Sequence, residues 1–294
     1  MNRSSTSLFR ALIRVAQPWS LGAGLLFYAL GVGIARYLGY SIDWATYWIG
    51  QASLTMLQLS IFNLREYFNR PELPPFSTPI PPPPPRAFQE EESQQEPEEE
   101  EIPLPRVIFL QVATAALTIG AVMIVLLLAA NRLNPAAALL LGLALILGLL
   151  YAIPPVRLAY SGYGELVLAI LFANLFPTLA FLFQTGDLHR LLAMLTFPLT
   201  LLYLASLLVL SLEPYYHDVK GGRTTMLVRL GWQRGILLHN VLIGLAYIFL
   251  SIAVIALLPF RFAFPAFLSL PVGIFQIWQM NSIAAGVKPR WRLL

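Results

Sequence analysis

The sequence predicts an all-α fold, a polytopic bundle of about eight transmembrane helices. Three observations carry that prediction. Hydrophobic residues make up 57% of the 294 and charged residues 12%, about half the charged share of a soluble domain. Apolar stretches of the roughly 20 residues that a helix needs to cross the hydrocarbon recur along the chain. The basic residues gather on alternate connections between those stretches, as the positive-inside rule requires of a spanning bundle.

The first stretch, near residues 19 to 38, follows Pro18 and three arginines, Arg3, Arg10 and Arg14. It is too long for the apolar region of a signal peptide and lacks a small-residue cleavage site, so it is read as a retained span. Its Gly22, Gly24, Gly31 and Gly33 suit close helix packing. The second stretch, 44 to 62, ends near Gln58 and Asn63, polar groups suited either to hydrogen bonding between helices or to substrate contact. The third and fourth, 107 to 130 and 135 to 153, lead into a polar connection carrying Tyr151, Arg157 and Tyr160. Glu165 opens the fifth, 163 to 184, where the helix dipole favours a carboxylate. The sixth, seventh and eighth run over 189 to 212, 235 to 258 and 262 to 280.

With the N-terminus inside, 15 of the 19 basic residues fall on the inner side and only Arg36, Arg132, Arg190 and Arg261 on the outer. An even number of spans then places both termini in the cytoplasm of a multi-pass membrane protein. Cysteine is absent, which excludes disulfides, thiolate catalysis and cysteine metal sites. His189, His217 and His239 are too scattered for a histidine-rich metal site. The pI near 9.4 suits anionic membrane lipid, and without basic blocks interleaved with aromatics nucleic acid is not an expected partner. A transporter would show paired internal repeats with broken helices, and none is read here.

Residues 1 to 294 read as one domain. Within it, residues 71 to 105 carry the run Pro81 to Pro85 and eight glutamates between Glu90 and Glu101. Such a cytoplasmic linker cannot bury a core and is expected to be extended or disordered. Outside this acidic run and the outer-side Asp43 and Asp187, the carboxylates are Glu66, Glu72, Glu165, Glu213 and Asp218, all at or near inner helix ends. Ionisable groups at that depth are costly and point to function.

Two polar segments hold most of them: Asn63 to Arg70 after the second span, and Glu213 to Thr225 after the sixth. Together they resemble the two aspartate-rich motifs of the UbiA family of intramembrane aromatic prenyltransferases. Ala16-Gln17-Pro18-Trp19 is similar to that family's entry to its first helix, and Tyr151 to Leu158 with Gly162 to Glu165 to its fourth-to-fifth connection. Leu227-Val228-Arg229-Leu230-Gly231 resembles the segment just beyond the second motif in menaquinone-pathway and chlorophyll-pathway members.

The resemblance implies a nine-helix relative, of which eight spans are read here, and a prenyl diphosphate donor with an aromatic, quinone-precursor-like acceptor. It also implies Mg²⁺ held on the diphosphate by carboxylates from two helix ends. Carried over, the first motif falls on Arg65, Glu66, Asn69 and Leu73, so one carboxylate stands where the family has three. The second falls on Pro214 and Asp218, with Glu213 one residue out of register and Lys220, Gly222, Arg223 and Thr225 behind.

The roles implied are Glu66 and Asp218 for catalysis and, with Asn69 and Glu213, for metal. Asn63, Arg65, Tyr151, Arg157, Tyr160, Lys220 and Arg223 are implied to contact substrate. Guanidinium groups bind phosphate oxygens bidentately, so Arg65 and Arg223 offset part of the missing carboxylate–metal set. The alternative is a catalytically degenerate homologue, acting as a membrane scaffold or prenyl-lipid binder.

Overall fold

The computed structural model describes residues 17–69, 106–220, 222–256 and 258–285. The Pro/Glu-rich linker and the N-terminal arginines lie outside the described residues. Each of the eight expected stretches forms helix. They are α1 (Pro18–Tyr37), α2 (Trp44–Asn69), α3 (Arg106–Ala129), α4 (Pro135–Ala152), α5 (Gly164–Thr185), α6 (Arg190–Leu210), α9 (Trp232–Ala256) and the pair α10 (Phe260–Leu268) and α11 (Leu270–Ala284). Two short helices, α7 (Tyr215–Lys220) and α8 (Met226–Leu230), lie between α6 and α9. The described residues form no strand beyond an isolated parallel bridge between Ser161 and Thr224.

Seven of these units are long and apolar enough to cross a membrane. The exception is α2, which has the length, 26 residues, but carries buried polar groups at Thr46, Gln51, Ser53, Gln58, Ser60 and Asn63. It also runs further than its apolar stretch. The polar turn from Asn63 to Asn69, beyond the second apolar stretch, continues the helix, because nothing before Pro71 interrupts the backbone ladder. The last span is broken instead of continuous: Ser269 ends α10 by bonding the Ala266 carbonyl, and α11 restarts at Leu270 with Pro271 in its first turn.

The bundle is built around α5, the most buried of the spanning helices, with 83% of its apolar window inside. It packs against α1, α2, α4 and α6, while α3 lies along α2 and α9 along α6. Aromatic rings fill the centre: Phe62 meets Phe172 at 6.0 Å between centroids, and Phe172 meets Phe176 at 5.1 Å. In the middle of α5 one π-type turn spans Ile170–Leu175. Where α1 crosses α5, a methyl group on Gly31 would collide with the Pro177 carbonyl, so that crossing needs glycine for its close approach.

The end of the bundle remote from the α2 C-terminus is tied by Asp43. Its carboxylate accepts from the Ala45 amide at 3.0 Å and the Thr46 hydroxyl at 2.9 Å, capping α2. Arg132 bonds the same carboxylate at 3.0 Å. The Gln184 side chain exchanges two hydrogen bonds with the Asp43 backbone, at 2.9 and 3.1 Å. One residue thus joins the starts of α2 and α4 to the end of α5.

Both contacts can be checked by stability measurements. Gly31→Ala is expected to destabilise the detergent-solubilised protein by about 1–3 kcal/mol, measured by thermal unfolding, while Gly33→Ala, which meets open space in a helix interior, does not lower the midpoint. The Thr46 hydroxyl bond, ahead of the other contacts, holds the Asp43 carboxyl below the usual carboxylate range. Its folded value lies under the unfolded one, so its stabilisation is full above the ordinary range and is lost as pH falls through the lowered value. Asp43→Asn should flatten the acid limb of the stability profile; an unchanged acid limb counts against this role.

Candidate active site

Four chain segments converge where α2 ends. The last turns of α2 carry Arg65 and Glu66, the end of α4 carries Tyr151, the connection to α5 and the first turn of α5 carry Tyr160 and Glu165, and the chain beyond α6 carries Asp218 and Arg223. Together with Gln17, Trp19 and Ser20 at the start of α1 they line one cavity of about 620 Å³. That is the size range of small-ligand sites. Two other hollows, of about 450 Å³ between α2, α3 and α4 and about 390 Å³ around Asn174, have no ionisable side chain in their linings.

Arg65 is held on several sides. Its Nη1 donates to the Tyr151 hydroxyl at 3.2 Å and its Nη2 to Glu66 Oε1 at 2.7 Å. With its amide oxygen turned toward Arg65, Gln17 accepts from both Nη atoms at 2.9 and 3.1 Å. The guanidinium carbon lies 5.8 Å from the Phe62 ring centroid, within range of the ring's attraction for a cation. Tyr160 lines the same cavity as Arg65, Glu66, Asp218 and Arg223. Burial pushes that phenol above its ordinary range, with Arg65 pulling it back, so the hydroxyl keeps its proton at physiological pH.

On the other side, Asp218 is buried on α7 at 5% exposure. Past it the chain reverses through Gly222, at φ +67°, and the Arg223 amide donates to the Asp218 carbonyl at 2.9 Å. Arg223 Nη1 then lies 3.9 Å from Asp218 Oδ1, with its side chain 44% exposed. This pair is looser than that of Arg65 and Glu66.

The Asp218 segment is fixed against the bundle by Glu165. Its carboxylate accepts from the Met226 amide at 3.1 and 3.3 Å and from the Ser211 hydroxyl at 3.2 Å. It therefore reaches across to a segment 61 residues away and does more than sit at the start of its own helix. Arg229 adds a second tie, donating to the Ser161 carbonyl at 3.0 Å and covering the Tyr163 ring at 4.3 Å. The Ser161–Thr224 bridge lies alongside.

Of the residues expected at the site, Arg65, Glu66, Tyr151, Tyr160, Asp218 and Arg223 line the cavity. The others lie elsewhere. Asn63 is buried in α2 and donates to the Leu59 carbonyl at 2.8 Å. Arg157 turns away to the Phe68 carbonyl at 3.0 Å and packs over the Tyr160 ring. Asn69, the last residue of α2, is not among the lining side chains, and Glu213 and Lys220 are exposed. The sequence assigns no site role to Gln17, Ser20, Ser211 or Arg229, and Glu165 reads there chiefly as a carboxylate favoured by the dipole at its helix start. The signal available for them was the resemblance of the segments that contain Gln17, Glu165 and Arg229.

No three carboxylate or histidine side chains among the described residues converge as a ready metal cage. The donors that do share the cavity, Glu66 and Asp218, suit Mg²⁺ in its usual mode, in which one or two carboxylates act together with substrate phosphate oxygens. The cavity offers three carboxylates against two guanidiniums. Alongside them stand Trp19, Leu168, Leu207 and Leu210, so the lining combines charged and apolar side chains.

A helical membrane bundle with such a cavity at one end is the class of protein these features define. The family is identifiable as well: the chain belongs to the UbiA prenyltransferase family, whose model matches residues 98–292. The match begins after α2, so Arg65 and Glu66 lie outside it. Over 162 residues the chain is 29% identical to a 1,4-dihydroxy-2-naphthoate octaprenyltransferase of Bacillus subtilis (strain 168), covering 55% of this chain and 51% of that protein. Over 155 residues it is 32% identical to a chloroplastic 2-carboxy-1,4-naphthoquinone phytyltransferase of Arabidopsis thaliana, covering 49% and 40% respectively. The matches thus span about half the length of these relatives. A UbiA homologue from Archaeoglobus fulgidus bound to GPP and Mg²⁺ shares the fold, with a TM-score of 0.65, 15% identity, and coverage of 92% of this chain and 87% of that one.

The Glu165 clamp is open to direct measurement. Glu165→Ala should cost about 1–3 kcal/mol, the penalty of unpairing buried donors, and should speed hydrogen exchange at the Met226 amide. Glu165→Gln, which keeps one acceptor oxygen, should lose less. Unchanged exchange at Met226 in the alanine variant contradicts the clamp.

Proposed function

We propose that this chain transfers an isoprenoid group from its diphosphate to an aromatic acceptor of the quinone-precursor class, within the membrane. The observation that supports the reading is the cavity itself. Two helix ends from distant parts of the sequence bring Arg65, Glu66, Asp218 and Arg223 to one space whose lining also holds Trp19, Leu168, Leu207 and Leu210. The curated relatives are named as prenyltransferases acting on naphthalene-ring compounds, which favours an acceptor of that kind. The distribution of basic residues supports a cytoplasmic placement of the site and of both termini.

The donor enters with its diphosphate toward Arg65 and Arg223, whose guanidiniums bind phosphate oxygens. Its hydrocarbon chain lies against Trp19, Leu168, Leu207 and Leu210. Glu66 and Asp218 would hold Mg²⁺, which when bound neutralises charge on the diphosphate and makes it a better leaving group. The allylic carbon–oxygen bond breaks, the diphosphate departs with the electron pair, and the acceptor ring attacks the carbocation. A carbon–carbon bond forms and the attacked ring carbon loses its proton to the released diphosphate or to water. Arg65, fixed by Tyr151, Gln17 and the Phe62 ring, needs no reorganisation to stabilise the departing charge.

The test is an assay of membranes with labelled geranyl diphosphate and a panel of dihydroxynaphthoate and hydroxybenzoate acceptors. Prenylated product is expected from wild type, falling by about 10²-fold or more in Glu66→Ala and in Asp218→Ala. Product no greater than from empty membranes would contradict the reading and favour a non-catalytic lipid-binding homologue.

A further inference from the structure

Arg65 and Glu66 are adjacent on α2, and neighbouring positions on a helix do not normally face one another. They meet because both side chains turn into the cavity, where Nη2 and Oε1 lie 2.7 Å apart with side-chain exposures of 16% and 18%. Tyr151, Gln17 and the Phe62 ring hold the guanidinium in place, and Glu66 is its one carboxylate partner among the described residues.

We infer that Glu66 is a built-in stand-in for the diphosphate on Arg65, so that anion and divalent cation enter this site by partner exchange and bind as one coupled event. This rests on the reading of the cavity as a diphosphate site. A diphosphate that takes Arg65 displaces Glu66, leaving a second anion unpaired beside it in a poorly solvated space. A cation that takes Glu66 alone leaves the Arg65 guanidinium unpaired. Each ligand by itself creates an uncompensated charge, which a confined site penalises. Together each satisfies the group that the other releases. Coupling of this kind is reciprocal, and typically 5–150-fold in affinity.

The second pair acts as an internal comparison. Arg223 and Asp218 are 3.9 Å apart and Arg223 is half-exposed, so water competes for that contact and its exchange carries less coupling. Glu165 takes no part, because its oxygens are engaged by Met226 and Ser211.

Removing one charge at a time separates the two ligands. In the full chain, purified in nanodiscs, calorimetric titration with geranyl diphosphate in EDTA should show weak binding that Mg²⁺ strengthens by about 30-fold or more. Glu66→Gln removes the stand-in, so it should bind the diphosphate about 10-fold more tightly than wild type in EDTA and gain less than about 3-fold from Mg²⁺. Asp218→Asn should change metal-free binding by less than Glu66→Gln does. By reciprocity Arg65→Gln, which frees Glu66, should bind Mn²⁺ alone more tightly than wild type; it also serves where Glu66→Gln fails to fold.

Binding by Glu66→Gln in EDTA that equals or falls below wild type overturns the exchange. Unaltered Mn²⁺ affinity in Arg65→Gln also overturns it. Absence of diphosphate binding to wild type even with Mg²⁺ overturns the reading of the site, and the exchange with it.

Discussion

Charge inside an apolar bundle has to be met by opposite charge or by hydrogen bonds, and the architecture depends on where that requirement is satisfied. At the far end of the bundle Asp43 gathers Arg132, Thr46 and Gln184. At the site end Glu165 gathers Ser211 and Met226, and Arg65 gathers Glu66, Tyr151 and Gln17. Between the two ends most of the packing is aliphatic and aromatic. The Glu165 clamp ties the first turn of α5 to the segment that presents Asp218 and Arg223.

The spanning helices were legible because lipid offers no hydrogen bonds to the backbone, so an apolar stretch of sufficient length must be helical. Observed ends fall close to the apolar limits for α1, α3, α4 and α6. Expectation and structure part where hydropathy stops being the controlling quantity. α2 runs on through the polar turn to Asn69. The last span breaks at Ser269, a local hydrogen bond that composition does not register. The short helices α7 and α8 are set by the turn at Gly222 and by the Thr225 cap, whose hydroxyl accepts from the Val228 amide at 3.3 Å.

The site was legible in part, and the division is physical. Arg65, Glu66, Asp218 and Arg223 stood out because ionisable residues are rare in such a chain, and they do share a cavity. Glu213 and Lys220 stood out for the same reason, and Asn69 by its place in the resembled motif, but all three lie outside the lining, since charge or polarity alone does not give a side chain's direction. Arg157 carries the right charge and turns it to the Phe68 carbonyl. The Glu165–Met226 contact joins positions 61 residues apart, and the Arg65–Glu66 pair joins helix neighbours that usually diverge. Neither is written in a local pattern. In this family member the missing carboxylates have not left an empty site; arginines stand among those that remain.

The proposed prenyl transfer requires the ends of α2 and α7 to face one another across a single cavity. The native chain has no cysteine, so Glu66→Cys and Asp218→Cys can be introduced as the sole thiols and treated in membranes with a short bismaleimide. Intramolecular cross-linking of the double variant, blocked by adding geranyl diphosphate with Mg²⁺, is the predicted result. Failure to cross-link with short reagents, when each thiol alone is reactive, would show that the two ends do not share a site.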